Sequence, residues 1–312
     1  MPADIIVIGS LNMDLVVKAP RLPRPGETLA GSDFRTVPGG KGANQAVAAA
    51  RLGAQVAMVG RVGQDVFGPR LLAGLADDGV DIRHVQQDSA APTGTATIIV
   101  DERGENAIVV VAGANGRVGP GDVDAAQALF STARLLILQF EIPLPTVEYA
   151  MGVAARHGLR VVVNPAPAHR VPVSFLHQAD IVVLNETEAE AITGVSVVGT
   201  DSAAAVRQAL QQAGEQATVV TVGERGAFLA TAKDTLHVPT PRVPVVDTTA
   251  AGDAFVGGLA VSLLHGDPLH AAVRYATVAG ALAVTKFGAQ TSLPSASEVQ
   301  ALMAQLGTAS GK

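Results

Sequence analysis

The 312-residue sequence contains no cysteine and no tryptophan. Without cysteine, disulfides, zinc–thiolate sites and thiol nucleophiles are excluded. Aromatic residues make up 3% of the chain, so a site that covers a flat base with rings has few residues to draw on. Charged residues are sparse at 16%, and the formal net charge is −6. The clustered Lys and Arg of a nucleic-acid surface are not found. No uninterrupted apolar run is long enough to span a bilayer. Met1-Pro2-Ala3-Asp4 carries no positive segment, and Ile5–Ile8 is too short for the apolar part of a signal peptide. A soluble cytoplasmic protein is the expectation. The seven histidines show no metal-ligand spacing; His265 and His270 flank a turn between helical segments and read as surface residues.

What is present is apolar: 48% of the residues are hydrophobic, enough for one large core or roughly two domains. Continuous apolar runs at Ile5–Ile8, Val56–Val59, Leu135–Leu138, Val161–Val163, Ile181–Leu184 and Thr218–Val222 read as strands buried on both faces. Helical patterns lie between them at Gly42–Leu52, Val66–Asp78, Pro145–His157, Glu186–Thr193 and Ser202–Ala213. The alternation predicts an α/β fold with a doubly wound, mostly parallel sheet flanked by helices. Ala227–Ala230 and Leu236–Val238 extend it antiparallel, and residues 307–312 should fray. Two segments break the pattern. Asp14–Thr36 holds two extended stretches around Pro20, Pro23 and Pro25, and Thr95–Asp101 with Ala107–Val111 reads as a hairpin about Glu102–Glu105. Four strands without helices suggest a small separate sheet with an open face, suited to a lid or to a partner subunit. The expected division is a large domain over 1–11, 37–93 and 112–312, with a β-lid over 12–36 and 94–111.

Ligands of such sheets sit beyond the carboxyl ends of the strands, and the chemistry-bearing motifs fall there. Asp247-Thr248-Thr249-Ala250-Ala251-Gly252-Asp253 leads into a helix over Ala254–His265. Bare N–H groups at a helix start form an anion site. Beside a carboxylate, such a site suits phosphoryl transfer to a hydroxyl. Alone, Asp253 reads equally well as a helix cap. Gly39-Gly40-Lys41-Gly42-Ala43-Asn44-Gln45 is the second dense motif. A dinucleotide fingerprint needs Gly where Gln45 stands. A P-loop needs Gly where Arg35 stands and Ser or Thr where Gly42 stands. Neither pattern fits, yet the glycines permit close ligand approach, and Lys41 and Asn44 offer donors. Asn12 and Asp14 are alternate residues of an extended stretch and point the same way. They suit adjacent sugar hydroxyls or, as the plainer reading, an Asx-type turn. Glu141 follows a buried strand. Asn185 and Glu188 have capping-box spacing, or stand near phosphates and their metal. Thr221–Gly226 ends another strand in a tight turn.

In this order, Asn12-Met13-Asp14, the Gly39–Asn44 motif, Asn185-x-x-Glu188 and the Asp247–Asp253 motif resemble the ribokinase-like carbohydrate kinase family over Ile5 to about Leu302. The resemblance implies ATP-dependent phosphorylation of the O5 hydroxyl of D-ribose with Mg²⁺. It implies Asp253 as catalytic base, with Ala250, Ala251 and Gly252 in the anion hole. Asn12, Asp14, Gly40, Lys41, Asn44 and Glu141 would hold the sugar. Asn185, Thr221, Gly223, Glu224, Arg225, Gly226, Gly252 and Thr277 would contact ATP, and Glu188 would meet Mg²⁺ through water. An activating K⁺ would sit among Asp247, Thr249, Ala283, Lys286, Gly288 and Ser292, mostly on backbone carbonyls. Thr277 stands where the family often has Asn. The lid implies a homodimer. The alternatives are a kinase of the same fold for deoxyribose, another sugar or a nucleoside, and a non-catalytic sugar-binding protein.

Overall fold

The computed structural model describes residues 3–211, 214 and 216–309. Its strands, in chain order, are β1 (Ile5–Ile8), β2 (Asn12–Lys18), β3 (Asp33–Gly39), β4 (Val56–Gly63), β5 (Asp81–Asp88), β6 (Gly94–Val100), β7 (Asn106–Val111), β8 (Leu135–Gln139), β9 (Arg160–Asn164), β10 (Ile181–Asn185), β11 (Ala217–Thr221), β12 (Ala227–Ala230) and β13 (Thr235–Val238). Nine of them form one sheet in the order β13-β12-β11-β10-β9-β8-β1-β4-β5. The strands from β11 to β5 run parallel, and β12 and β13 are antiparallel additions at one edge.

The interior strand β1 is buried along its whole length because helices cover both faces of the sheet. Ile5 and Val7 pack with helices Lys41–Arg51, Gly68–Asp77, Ala251–Leu264 and Leu269–Ala283. Ile6 and Ile8 pack with helices Leu144–His157, Glu186–Thr193 and Thr200–Ala209 on the opposite face. The expected doubly wound architecture is therefore present. Strand β5 escaped the sequence reading because it is an edge strand with a mixed burial pattern over DIRHVQQD, without a continuous apolar run. The helix expected over Ser202–Ala213 runs Thr200–Ala209, and residues 212 and 213 lie outside the described residues. Gly307 to Ala309 belong to helix Ala296–Ala309 instead of a frayed end; residues 310–312 lie outside the described residues.

The other four strands form a separate sheet in the order β3-β2-β6-β7. This is the expected lid. Its root is joined to the main body by Asn115, whose side chain exchanges hydrogen bonds with the Leu11 backbone at 2.9 and 3.0 Å.

Helix Ala251–Leu264 is the element that sets the site. Its residues Asp253–Leu263 are all buried, because it is wedged between helices Lys41–Arg51 and Leu269–Ala283. Two glycines make that possible. A Cβ on Gly257 would lie 2.6 Å from Ala48 Cβ, and one on Gly258 would lie 3.0 Å from Ala279 Cβ. One helical turn before the Gly257–Ala48 contact stand Asp253 and Asn44, four residues earlier on each helix. The close approach of small residues thus places a carboxylate against an amide from a remote part of the chain.

Candidate active site

Asp253 is the third residue of its helix, not the cap. The cap is Ala250, a non-glycine residue in the left-handed region at φ 60°, with no side-chain capping bond. Such a conformation is costly for a residue that carries a side chain, and residues held in it cluster at functional sites. The helix begins three residues earlier than the expected Ala254. Asp253 Oδ2 accepts from Asn44 Nδ2 at 2.9 Å, and its Oδ1 accepts from Gln45 Nε2 at 3.0 Å. The capping reading of Asp253 is therefore replaced by a tertiary one.

The Gly39–Gln45 segment is shaped by contacts that exclude side chains. Gly40 has φ 90°, and a Cβ there would lie 2.7 Å from the Asn12 backbone nitrogen. A Cβ on Gly39 would lie 2.4 Å from Asp14 Oδ2. Lys41 N–H donates to Glu141 Oε2 at 3.0 Å, and Ser10 Oγ donates to the same oxygen at 2.5 Å. Ser10 Oγ in turn accepts from Gly42 N–H at 3.3 Å. Glu141 thus pins the glycine loop onto the end of β1. Asn12 and Asp14 lie in β2, which removes the Asx-turn reading. Asn12 Oδ1 accepts from Asn115 Nδ2 at 2.7 Å.

A cavity of about 210 Å³ opens beyond the strand ends, lined by Lys41, Asn164, Ala166, Val183, Leu184, Asn185, Glu188, Thr221, Thr248, Ala250, Gly252 and Asp253. Of the expected nucleotide contacts, Asn185, Thr221 and Gly252 line it. Gly223–Arg225 form a short turn just beyond. Arg225 is paired with Glu186, and its carbonyl lies 2.6 Å from His237 Nε2. Gly226, at φ 102°, would place a Cβ 2.0 Å from the Val238 carbonyl. Thr277 does not line the cavity. It is buried in helix Leu269–Ala283, and its hydroxyl donates to the Val273 carbonyl at 2.8 Å, as threonine does inside a helix.

The electrostatics are those of crowded carboxylates around one ammonium. Burial pushes the Asp253 carboxyl above its usual range; Lys41, Asn44 and Gln45 pull it back, and Glu141 adds to the rise. Burial opposes the charge of Lys41, but Asp253, Glu141 and Glu188 outweigh it and hold the ammonium above the usual lysine range. Asp14 is pushed up to about 7 by burial, then by Glu141 and Asp253. Glu188 is raised chiefly by burial, with the Asn185 N–H and Lys41 opposing. The capping box is also present: Glu188 N–H donates to Asn185 Oδ1 at 2.7 Å, and Asn185 N–H to Glu188 Oε2 at 2.9 Å.

The segments around Asp247 and Gly288 meet. Gly288 N–H donates to Asp247 Oδ2 at 2.9 Å, Thr249 Oγ1 to Asp247 Oδ1 at 2.7 Å, and Val246 N–H to the Val284 carbonyl at 2.8 Å. Burial raises the Asp247 carboxyl, but the Thr249 and Gly288 donors outweigh it and hold it below the usual range. Ser292 Oγ donates to the Ala289 carbonyl at 2.8 Å, and the Lys286 ammonium is paired with Glu298 at 2.6 Å.

A buried carboxylate in the first turn of a helix, beside a lysine and at the carboxyl ends of a parallel sheet, suits phosphoryl transfer to a hydroxyl. The model of the pfkB family carbohydrate kinases matches residues 2–296, and the chain belongs to that family. It is 39% identical over 298 residues to the ribokinase of Haemophilus influenzae, covering 96% of this chain and 97% of that protein. It is equally 39% identical over 293 residues to the deoxyribokinase of Salmonella typhi, covering 94% and 96%. The Arabidopsis thaliana ribokinase solved with ribose and ATP has a TM-score of 0.89 at 31% identity, over 97% of this chain and 99% of that one.

The residues that sequence reasoning missed are Gln45, Gln139, Asn164 and Asn115. All are buried amides. Their only signal was polarity at the end of an apolar run or inside a helical one.

Proposed function

We propose that this chain transfers the γ-phosphoryl group of ATP to the O5 hydroxyl of D-ribose. The observation that supports this best is Asp253: a carboxylate buried in the first turn of its helix, gripped by two amides and lining the same cavity as Lys41. The sugar would lie between Asn12, Asp14, Gly40, Lys41, Asn44 and Glu141, at the root of the lid. Asn44 Oδ1 is buried and meets no donor among the described residues, so a sugar hydroxyl would satisfy it. Asp253 would take the O5 proton as the new bond forms. The N–H groups of Ala251 and Gly252, at the positive end of the helix, would hold the transferred charge. Of these, Ala251 N–H makes a long bond of 3.3 Å to the Thr248 carbonyl. Lys41 would neutralise the phosphates further. The β- and γ-phosphates would lie along Asn185 and Thr221, and the rest of the nucleotide would follow Gly223–Gly226. Because the Thr277 hydroxyl donates to its own helix, it would be left to the base only as an acceptor.

Mg²⁺ fits beside Glu188, an oxygen donor on the cavity wall, and would screen phosphate charge there. Among the described residues no group of three or more His, Cys, Asp or Glu is disposed to hold a metal. Such an ion would therefore be held largely by the nucleotide and water. K⁺ would sit where the Asp247 carboxylate meets Thr249 and Gly288, with the backbone carbonyls of Ala283, Lys286 and Ser292 as its further ligands. With its ammonium paired to Glu298, Lys286 has only its carbonyl to offer. A cation there would stiffen the loop that presents the Ala251 and Gly252 N–H groups.

The division into a large domain over 1–11, 37–93 and 112–312 and a lid over 12–36 and 94–111 belongs to the same reading. Strand β7 is exposed throughout, with Ile108, Val109, Val110 and Val111 each more than half exposed, as is Phe34 of β3. Val109 and Val111 share the sheet face of Phe34, while Ile108 and Val110 point to the opposite face; exposed apolar side chains on the lid support a homodimer through the lids, and light scattering at micromolar concentration tests it. Among the described residues no helix is long and apolar enough to cross a membrane; a cytoplasmic location is part of the proposal.

A second reading is 2-deoxy-D-ribose as acceptor, since the Salmonella typhi deoxyribokinase matches this chain at the same 39% identity as the Haemophilus influenzae ribokinase. A coupled ADP-release assay over pentoses, hexoses and nucleosides, with and without K⁺, separates them. Fastest turnover of D-ribose supports the first reading, fastest turnover of the deoxy sugar the second. No ADP release with any acceptor overturns both.

A further inference from the structure

Behind Asp253 stand three side-chain amides from three elements: Gln45 on helix Lys41–Arg51, Gln139 at the end of β8 and Asn164 at the end of β9. Gln45 and Gln139 are fully buried and Asn164 nearly so. Gln45 Nε2 donates to Asp253 Oδ1 at 3.0 Å and to Asn164 Oδ1 at 3.1 Å. Gln139 Nε2 donates to Gln45 Oε1 at 2.7 Å, and Asn164 Nδ2 donates to the Val183 carbonyl at 2.9 Å. Gln139 and Asn164 are register partners across β8 and β9, so the parallel sheet itself sets their spacing.

The polarity of this chain is dictated from one end. An ionised carboxylate only accepts, so the Gln45 NH₂ group must face Asp253. That turns Gln45 Oε1 toward Gln139, which must then present its own NH₂ group. Gln139 Oε1 is left buried without a donor among the described residues. It packs against Gly9, where an added Cβ would lie 2.0 Å away. Buried amides are costly and half-satisfied ones more so; apolar side chains would fill the same space with no such penalty. An amide retained with one atom unsatisfied points to a use for the other.

We propose that Gln45, braced by Gln139 and Asn164, is a positioning residue for phosphoryl transfer that holds the Asp253 carboxylate in a single orientation. The proposal rests on reading Asp253 as the base. Asn44 grips one carboxylate oxygen and Gln45 the other. Removing either grip frees the group to turn about its Cβ–Cγ bond. The charged groups that act on Asp253 are Lys41 and Glu141, and Asp253 acts in turn on Asp14 and Glu188. None of the four is hydrogen-bonded to Gln45 or Gln139, so the amide chain can be altered separately from them.

The test is steady-state kinetics with ATP and whichever of D-ribose or 2-deoxy-D-ribose the wild type turns over faster. The variants are Gln45→Leu, Gln139→Leu, Asp253→Asn and the double variant Gln45→Leu/Asp253→Asn. Gln45→Leu is expected to lower kcat about 10–100-fold, with both KM values within about threefold, the pattern of lost orientation. The acid limb of its kcat/KM profile moves to higher pH, because the Asp253 anion has lost a donor. Gln139→Leu, one bond farther away, gives the same changes at smaller size. The double variant is no slower than Asp253→Asn. Unchanged kcat and an unmoved acid limb in Gln45→Leu overturn the proposal. So does a full further loss in the double variant, which marks general damage. If circular dichroism shows Gln45→Leu unfolded, the same readings on Gln139→Leu decide. Near-normal kcat in Asp253→Asn removes the underlying reading of the base. A slow Asp253→Asn with an unperturbed Gln45→Leu removes only the positioning role.

Discussion

Asp253 and Glu188 occupy the same local position, the third residue of a helix that follows a sheet strand or loop, and they face the same cavity. They are buried alike, at 6% and 8% exposure. Their fates differ. Glu188 folds back on its own helix, because Asn185 ahead of it supplies the partner of a capping box. Asp253 has Ala250 ahead of it, in a left-handed conformation without a capping side chain. Its oxygens are taken instead by Asn44 and Gln45, roughly two hundred residues away in sequence. A carboxylate at a helix start is a local device when its cap can answer it. It becomes a tertiary, chemically available group when its cap cannot.

The largest test of this contrast is kinetic. Asp253→Asn should lower kcat about 10²–10⁴-fold, the range for a general acid–base residue. Glu188→Gln should lower it about tenfold or less and raise the Mg²⁺ concentration needed for half-maximal rate. Equal losses in the two variants would erase the distinction between them. Next in size is the packing that delivers Asp253. Gly257→Val puts side-chain atoms into Ala48 and should destabilise the fold by about 1–3 kcal/mol, with kcat falling as the Asp253–Asn44 contact opens; denaturant melts and turnover check both.

Asp14 extends the comparison to a half-buried carboxylate in a strand, where no helix start is available to it. Its folded value of about 7 lies above its ordinary 3.8. Between those pH values the unfolded chain has released a proton that the folded chain keeps, so stability falls as pH rises through the window. Asp14→Asn should therefore raise Tm, by about 1–3 kcal/mol in stability at pH 8, with the gain vanishing below about pH 4. Its sugar KM should rise at the same time. A Tm difference independent of pH would mean that Asp14 is not protonated as described. The smallest effect belongs to the cap: Asn185→Ala should cost about 1 kcal/mol in chemical denaturation, whereas no such capping loss is expected from Ala250→Gly.

The residues legible beforehand were those whose chemistry is local. Gly40 and Gly226 announce backbone that no side chain can share, and Asn185 with Glu188 announces a cap; the structure contains all of them. The apolar runs of β1 and β8–β11 announce a sheet covered on both faces. Strand β5 was not legible, because an edge strand carries no continuous apolar run. Gln45, Gln139 and Asn164 were not legible either. Nothing within a few residues of each indicates that the three converge, since their meeting depends on the parallel register of β8 with β9 and on the packing of a helix across the sheet. The apolar strands β1 (IIVI) and β7 (NAIVVV) have similar composition, yet one is wholly buried and the other wholly exposed.

The amino-acid sequence by itself determined the α/β alternation, the glycine turns and the set of polar residues at the strand ends. Burial periodicity and glycine sterics act over a few residues. Only the tertiary structure decided which donors hold the Asp253 carboxylate, and that β7 stays exposed on both faces. It did so because donors to Asp253 and cover for β1 arrive from remote segments, brought within hydrogen-bonding and van der Waals distance by strand register and by the close contact of Gly257 with Ala48.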